Sequence, residues 1–412
     1  MKTKSNNISV EHIQRPLPFK IANLIGGLKS KIFQTPTLSA DKLVSDAVTK
    51  SPSQTPLDPQ FLSALNILIE AINASTQLDY TGRIFAKQTL KTALTNQIQV
   101  QDTFNEITSI EKEKINRPLF VIGFPRTGTT FIHNLLALDE NSRAPKMWEV
   151  INPGVVSQLS NKEREARIKQ AEKFVKLAYY LLPELQAIHE LFPDGPDECL
   201  KLIENTFISP HFCLYFDIPD YWQWLINQNT DNFVHTYRSH KKQLQTLQYG
   251  CPTKHWVLKT PVHLFFLDAL LKVYPDACVV HMQRDPLECI PSFCSLVGVN
   301  RALFSNDIDM NEIGKFSVEF YAECNKRVIN AKRNAPSGSV IDIQYRSFID
   351  KPKDTIKEIY NYFGMDFTHL HGQKIDAWLN NHPKNKHGVH KYTLEQFGLT
   401  RDDIDSNPAF SS

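Results

Sequence analysis

"VIGFPRTGTT", Val121 to Thr130, decides the fold. An apolar run ends at Gly123, and Gly128 follows five residues later, the spacing of a Gly-bounded loop that joins a strand to a helix around a phosphate. A nucleoside-triphosphate loop places lysine directly after the second glycine, but Thr129 stands there. The cation comes two residues before that glycine, as Arg126. Such a turn aims backbone N–H groups and a helix N-terminus at one point, which holds a tetrahedral anion. Pro125 stiffens the approach, and Gly128 admits a ligand closer than a side chain would. Arg126 adds a permanently charged planar fork, and Thr129 and Thr130 add hydroxyls. With the lysine missing and no acidic strand end nearby for magnesium, the expected ligand is an anionic donor handled without a metal.

Working outward, Pro118 to Phe124 reads as a strand buried on both faces, followed by a helix from Thr129 to Leu138. Three more strand–helix pairs follow. "HWVLKT" (His255 to Thr260) precedes a helix in "PVHLFFLDALLKVY". "ACVVHM" (Ala277 to Met282) precedes one from about Pro286 to Val297, and "SVIDIQY" (Ser339 to Tyr345) one from Lys353 to Gly364. This alternation predicts an α/β fold: a three-layer, P-loop-like parallel sheet with helices on both faces. Upstream, Asp58 caps a helix carrying Phe61, Leu65, Leu68 and Ile72 at helical spacing, and another runs around Ile84 to Ile98. Residues 1–115 are therefore read as a helical N-terminal extension and 116–412 as the α/β domain. A helical insertion separates the first two strands, with Ile168, Ala171, Val175, Ala178 and Leu182 on one stripe.

Lys and Arg number 46 against 44 Asp and Glu, so the net charge of +2 argues against wholesale wrapping of nucleic acid. The anion site must be a local cluster of cations. Seven cysteines without a CxxC pair suggest reduced thiols in a cytoplasmic protein, with neither a disulfide framework nor a zinc site, and no metal is expected. No apolar run approaches the roughly 18 residues of a transmembrane helix. The opening residues lack the apolar core of a signal peptide.

"GFPRTGTTF" resembles the 5′-phosphosulfate loop of sulfotransferases that use 3′-phosphoadenosine 5′-phosphosulfate (PAPS). Within that superfamily, "MWEV" (Met147 to Val150), "VLKTPVH" (Val257 to His263), "RDPLECIPS" (Arg284 to Ser292) and "KHGVHKY" (Lys386 to Tyr392) match one group in order. The resemblance covers roughly Pro118 to Gly398. It implies that Arg126, Thr127, Gly128, Thr129 and Thr130 hold the sulfate-bearing phosphate, with Phe131 near the adenine. It further implies that Arg284 and Ser292 grip the 3′-phosphate, that Tyr345 contacts the adenine, and that Lys386, His387 and Gly388 close over the 3′-phosphate.

Sulfuryl transfer to an alcohol needs a base for the acceptor proton and a cation for the departing phosphate oxygen. Histidine, with an unperturbed pKa of about 6.5, suits the first role. The resemblance implies Lys259 as the cation and His263 as the base. The match is shifted, because cytosolic relatives carry the histidine two residues after the lysine, where this chain has Pro261. Glu149, His189 and Glu190 are rival bases, with Glu149 read as a structural or acceptor-orienting residue. Aromatics between Phe207 and Tyr237 are expected as core and acceptor wall, and Asn300 to Ile313 as a lid. The acceptor is expected to be a small, partly apolar molecule bearing a hydroxyl or an amine. Two alternatives stand beside this reading: a P-loop kinase or NTPase, and a non-catalytic nucleotide-binding protein of the same fold.

Overall fold

The computed structural model describes residues 15, 17–32, 37–49, 51, 56–183, 191–305, 307–382 and 392–410. Five parallel strands make one sheet: β1 (Leu119–Gly123), β2 (Ser142–Arg143), β3 (His255–Lys259), β4 (Cys278–Gln283) and β5 (Val340–Gln344). They lie in the order β2-β3-β1-β4-β5. Val121 pairs with Lys259 on one side, and Gly123 pairs with Met282 on the other. Central β1 is buried at every position, as a strand covered on both faces must be. β2 is two residues long, and its Ser142 pairs with His255 at the sheet edge.

The strand-to-helix alternation is as expected at the four strands read from the sequence, with three departures: the short edge strand β2 is additional, a short helix (Tyr345–Asp350) follows β5 directly, and the connection after β3 is not a simple strand-to-helix turn. After β3 the chain does not enter a helix directly. Pro261–Leu264 forms a 3-10 turn capped by Thr260, and the α-helix begins only at Leu267. Pro261 fixes the turn's first φ and donates no N–H, so the chain tightens before the helix starts. His263 is thereby turned inward.

Upstream helices pack on the sheet's layers through a shared core. Leu65, Leu68, Ile72 and Leu94 belong to the same apolar cluster as Phe120, Phe207, Phe266 and Phe293. Asp58 caps the Pro59–Ala74 helix, its side chain accepting from Gln60 N–H at 2.8 Å. The Leu17–Ile32 helix lies close to the start of the Tyr80–Glu106 helix, where a Cβ on Gly26 would sit 2.2 Å from the Tyr80 ring. The second face of the sheet carries a separate core built on Val121, Ile132, Val280, Ile343 and Ile359.

The first part of the stretch expected as a lid, Arg301 to Ser305, is packed, whereas Asp307, Asp309, Asn311 and Glu312 are exposed. Phe304 stacks on Phe85 at 4.1 Å, Ser305 bridges to Leu78, and buried Arg301 donates to Asp217 and to the Cys213 carbonyl. Most of the expected acceptor wall is likewise core, with Phe207, Phe212, Phe216, Tyr221 and Phe233 fully buried.

Candidate active site

Ligands of open parallel sheets bind beyond the strands' C-terminal ends, on either side of the point where strand order reverses. Here that point is β1, with β3 on one side and β4 on the other. The loop leaving β1 has two left-handed residues, Arg126 (φ 73°) and Gly128 (φ 83°). Thr127 between them closes the turn on itself, its hydroxyl donating to the Phe124 carbonyl at 2.8 Å. Gly128 is the N-cap of the Thr129–Leu136 helix and offers no side chain, so the first-turn N–H groups lack a side-chain cap. Their partial positive charge faces the loop's concave side.

Three further elements meet this helix start. Arg284, just past β4, donates to the Arg126 carbonyl at 2.8 Å. Ser292 on the next helix accepts from Arg126 Nε at 3.2 Å. Tyr345, directly after β5, lies under the Arg284 guanidinium at 4.3 Å and close beside Gly128. Arg284 pairs with Glu288 at 2.8 Å, not with adjacent Asp285, which caps the Pro286–Ala302 helix instead. Burial, with Arg284 adding, lowers the Arg126 pKa, so two cations are held together at an electrostatic cost that an anion would relieve. Phe131 packs on Phe348 at 4.8 Å and stacks on Trp378 at 5.4 Å. Lys386, His387 and Gly388 lie outside the described residues, as do His189 and Glu190.

On the β3 side, Lys259 is 2% exposed and reaches across to donate to the Thr130 hydroxyl at 3.0 Å. It also pairs with Glu198. Thr130, Lys259 and Glu198 line one pocket with His133, Leu191 and Phe192. His133, buried one turn further along the helix, has its pKa lowered to about 4, first by burial and then by Lys259. The segment bearing Glu198 is pinned by the "MWEV" region. Met147 N–H donates to the Gly195 carbonyl, and Trp148 Nε1 donates to Asp194 at 2.8 Å. Glu149 is spent locally, pairing with Arg143 at 2.8 Å and accepting from Lys146 N–H at 2.9 Å. Its carboxylate thereby ties Arg143 to the start of the Met147–Ile151 helix.

His263 differs from its expected position. It is 0% exposed, with Nδ1 against the Tyr237 hydroxyl at 2.7 Å and Nε2 against Cys199 Sγ at 3.0 Å. Burial, then the neighbouring His240, holds its pKa well below the ordinary histidine value. Neither ring nitrogen faces the pocket of Lys259. Glu198 and His133, which do, went unnoticed in the sequence. For Glu198 the available signal was a carboxylate ending the turn "PDGPDE" just before the apolar helix starting at Leu200.

A sulfotransferase family model matches residues 118–369. The omega-hydroxy-beta-dihydromenaquinone-9 sulfotransferase Stf3 of Mycobacterium tuberculosis (strain CDC 1551 / Oshkosh) is 21% identical over 290 residues, 68% of this chain and 71% of that protein. The crystal structure of sulfotransferase STF1 from Mycobacterium tuberculosis H37Rv superposes with a TM-score of 0.79 at 25% identity, covering 91% of this chain and 99% of the other. That of STF9 from Mycobacterium avium gives 0.81 at 24% identity, covering 92% and 96%. The family's extent takes in β1 with its anion loop, β3 with Lys259 and β4 with Arg284, well over half of the molecule; this chain belongs to the sulfotransferase family.

Proposed function

We propose that this sulfotransferase moves the sulfuryl group of PAPS to a hydroxyl of a small, partly apolar acceptor. The observation that carries the donor assignment is the pair of guanidiniums, Arg126 and Arg284, held around an uncapped helix start with Ser292 and Tyr345. The first-turn amides and the Thr129 and Thr130 hydroxyls take the phosphosulfate end. Arg284 and Ser292 take the phosphate on the ribose, Arg126 between them and the loop takes the phosphosulfate side, and Tyr345, with Phe131 behind the loop, shapes the adenine site.

At the reacting end, the acceptor oxygen attacks sulfur, the bond from sulfur to the bridging oxygen breaks, and adenosine 3′,5′-bisphosphate leaves. Lys259 stabilises the charge growing on the departing oxygen, a positioned-cation effect in a site already shielded from water. The base assigned here is Glu198, in place of His263. Its carboxylate shares a pocket with Lys259 and Thr130, whereas both nitrogens of His263 are turned to Tyr237 and Cys199. When the donor takes over Lys259, Glu198 loses its cationic partner and becomes the better proton acceptor. Leu191 and Phe192, 39% exposed, give the same pocket an apolar wall. An apolar wall fits an acceptor such as the hydroxylated quinone for which the mycobacterial relative is named.

Titration calorimetry tests the donor. Adenosine 3′,5′-bisphosphate is expected to bind at least about tenfold tighter than AMP, since the extra phosphate gains charge-assisted hydrogen bonds. Equal affinity for the two would end the proposal. Labelled PAPS offered with alcohols, phenols, sterols and amines, read by mass gain, then identifies the acceptor class. Magnesium-dependent ATP turnover would favour a kinase instead.

A further inference from the structure

Behind the reacting pocket, one thiol and two imidazoles converge in the buried core. Cys199, His240 and His263 each offer a ligand atom, and all three atoms lie within 4.8 Å of one another. They come from separate elements: the residue just before the Leu200–Glu204 helix, the middle of the Thr230–Gln248 helix, and the 3-10 turn after β3. Both imidazoles are held the same way. His263 Nδ1 meets the Tyr237 hydroxyl at 2.7 Å, and His240 Nδ1 meets the Tyr274 hydroxyl at 2.8 Å. If each Nδ1 is the protonated nitrogen, each Nε2 lone pair is free to bind. His263 Nε2 faces Cys199, while His240 Nε2 is fully buried with no hydrogen-bond partner among the described residues. An orphan nitrogen in such a core is costly unless something accepts its lone pair.

We propose that Cys199, His240 and His263 bind a zinc ion whose fourth ligand is a water molecule, with Tyr237 and Tyr274 fixing the two ring orientations from outside. The donor set, one thiolate and two imidazoles, suits zinc, and hydrogen bonds from the far ring nitrogen are the usual means of aiming a histidine ligand. Tetrahedral zinc, with bonds of roughly 2.0–2.3 Å, separates its ligand atoms by about 3.4–3.6 Å. The 3.0 Å gap between Cys199 and His263 therefore opens slightly on binding, and the wider gaps close. Cys199 releases its thiol proton to solvent as the ion enters, so the thiolate cancels one of the two charges. The site also has a use. Cys199 directly follows Glu198, and its N–H donates to the Lys259 carbonyl at 3.0 Å, while His263 lies four residues past Lys259. An ion here ties together the two segments that carry the pocket's acid and cation, whichever nucleotide the cradle holds.

The test uses the full chain. Protein expressed with zinc in the medium is expected to keep close to one zinc per chain through dialysis against EDTA, measured by plasma mass spectrometry, because the ligands are sealed from solvent. Expression in zinc-depleted medium with Co²⁺ is expected to give the strong visible bands of tetrahedral cobalt and a thiolate-to-cobalt charge-transfer band. Cys199→Ser, which keeps the side chain's size, is expected to lose that band and the metal. Tyr274→Phe, which keeps the ligands, is expected to weaken zinc binding by about 10–100-fold. Circular dichroism establishes that both variants are folded. Wild-type protein with no zinc and no cobalt spectrum overturns the site, as does folded Cys199→Ser with wild-type metal content.

Discussion

Beyond β4 and β5, Arg126, Arg284, Ser292 and Tyr345 stand around a bare helix start; beyond β3, His263, Tyr237, Cys199 and His240 are sealed into the core. Both clusters hold residue types that do chemistry, but their electrostatics differ in kind. The first sets two guanidiniums side by side at a helix start that has no side-chain cap, an arrangement that an anion would stabilise. The second, before any metal ion enters, is a network of buried groups in which each ring meets a tyrosine, and it is closed to a substrate. Lys259 and Glu198, between the two, combine charge with a place in the pocket wall beside Thr130. The difference teaches that spacing in a motif can nominate a histidine, while burial and hydrogen-bond partners determine what it is free to do.

The largest effect is expected from the carboxylate beside Lys259. Glu198→Gln is expected to lower kcat by about 10²–10⁴-fold, the range for loss of a general base, with affinity for adenosine 3′,5′-bisphosphate nearly unchanged. His263→Gln is expected to act on stability, lowering the thermal midpoint, because it leaves Tyr237 and Cys199 without their partner. Suppose instead that His263→Gln abolishes turnover at an unchanged midpoint while Glu198→Gln works normally. The base then belongs to the buried cluster, which must open during the reaction.

Lys259→Ala comes next. Removing a cation poised at a departing oxygen is expected to cost about 10²–10³-fold in kcat, with a smaller change in nucleotide affinity. On the opposite flank the pattern should reverse. Arg284→Ala is expected to weaken adenosine 3′,5′-bisphosphate binding by about 10–100-fold, as loss of a charged hydrogen bond would, while leaving AMP affinity unchanged. Equal losses for both nucleotides would place Arg284 away from the ribose phosphate.

A pH series separates buried from open groups more gently. The His133 pKa falls from its ordinary value to about 4 in the folded chain. Between about pH 6.5 and pH 4 the unfolded chain therefore binds the extra proton. The stability due to neutral His133 is fully present above that window and is lost as pH falls through it, by about 1.4 kcal/mol per pH unit. Urea midpoints of wild type and His133→Phe, compared at each pH, are expected to show a shallower acid slope in the variant. Parallel slopes would mean that His133 already carries a proton in the fold.

Much of this was legible in the chain itself. Gly123, Arg126, Gly128 and the Thr pair announced a strand, a turn and a helix, since few other arrangements use those residues in that order. Arg284 and Tyr345 directly follow strands of the parallel sheet, so their place at the ligand edge follows from the alternation alone. Asp58 and Pro59 marked a helix start that local capping chemistry fully determines. His263 was misplaced because its direction depends on the tight turn after Thr260, a tertiary consequence of Pro261 that a count from Lys259 does not contain. Glu198 was hidden for a similar reason. Its position is fixed by Met147, Trp148 and Lys259, all distant in sequence, through bonds that no spacing reveals. Cys199, His240 and His263 are likewise too far apart in the chain to read as a ligand set.

Gly128→Ala probes the cradle with the smallest change. Its φ of 83° lies in the left-handed region, where an alanine costs about 1–2 kcal/mol. The new Cβ would also sit 2.9 Å and 3.0 Å from two atoms of the Tyr345 ring. That ring has somewhere to go, because it is only half-buried, but moving it takes it off the Arg284 guanidinium. The substitution should therefore strain the loop and loosen the ribose-phosphate side together, lowering nucleotide affinity by several-fold, about 1 kcal/mol, while Lys259 and Glu198 stay in place. Single-turnover rates at saturating donor are expected to match wild type. A rate that falls in step with affinity would show that the loop's curvature also aligns the reacting end, and that the two flanks of β1 are mechanically one site.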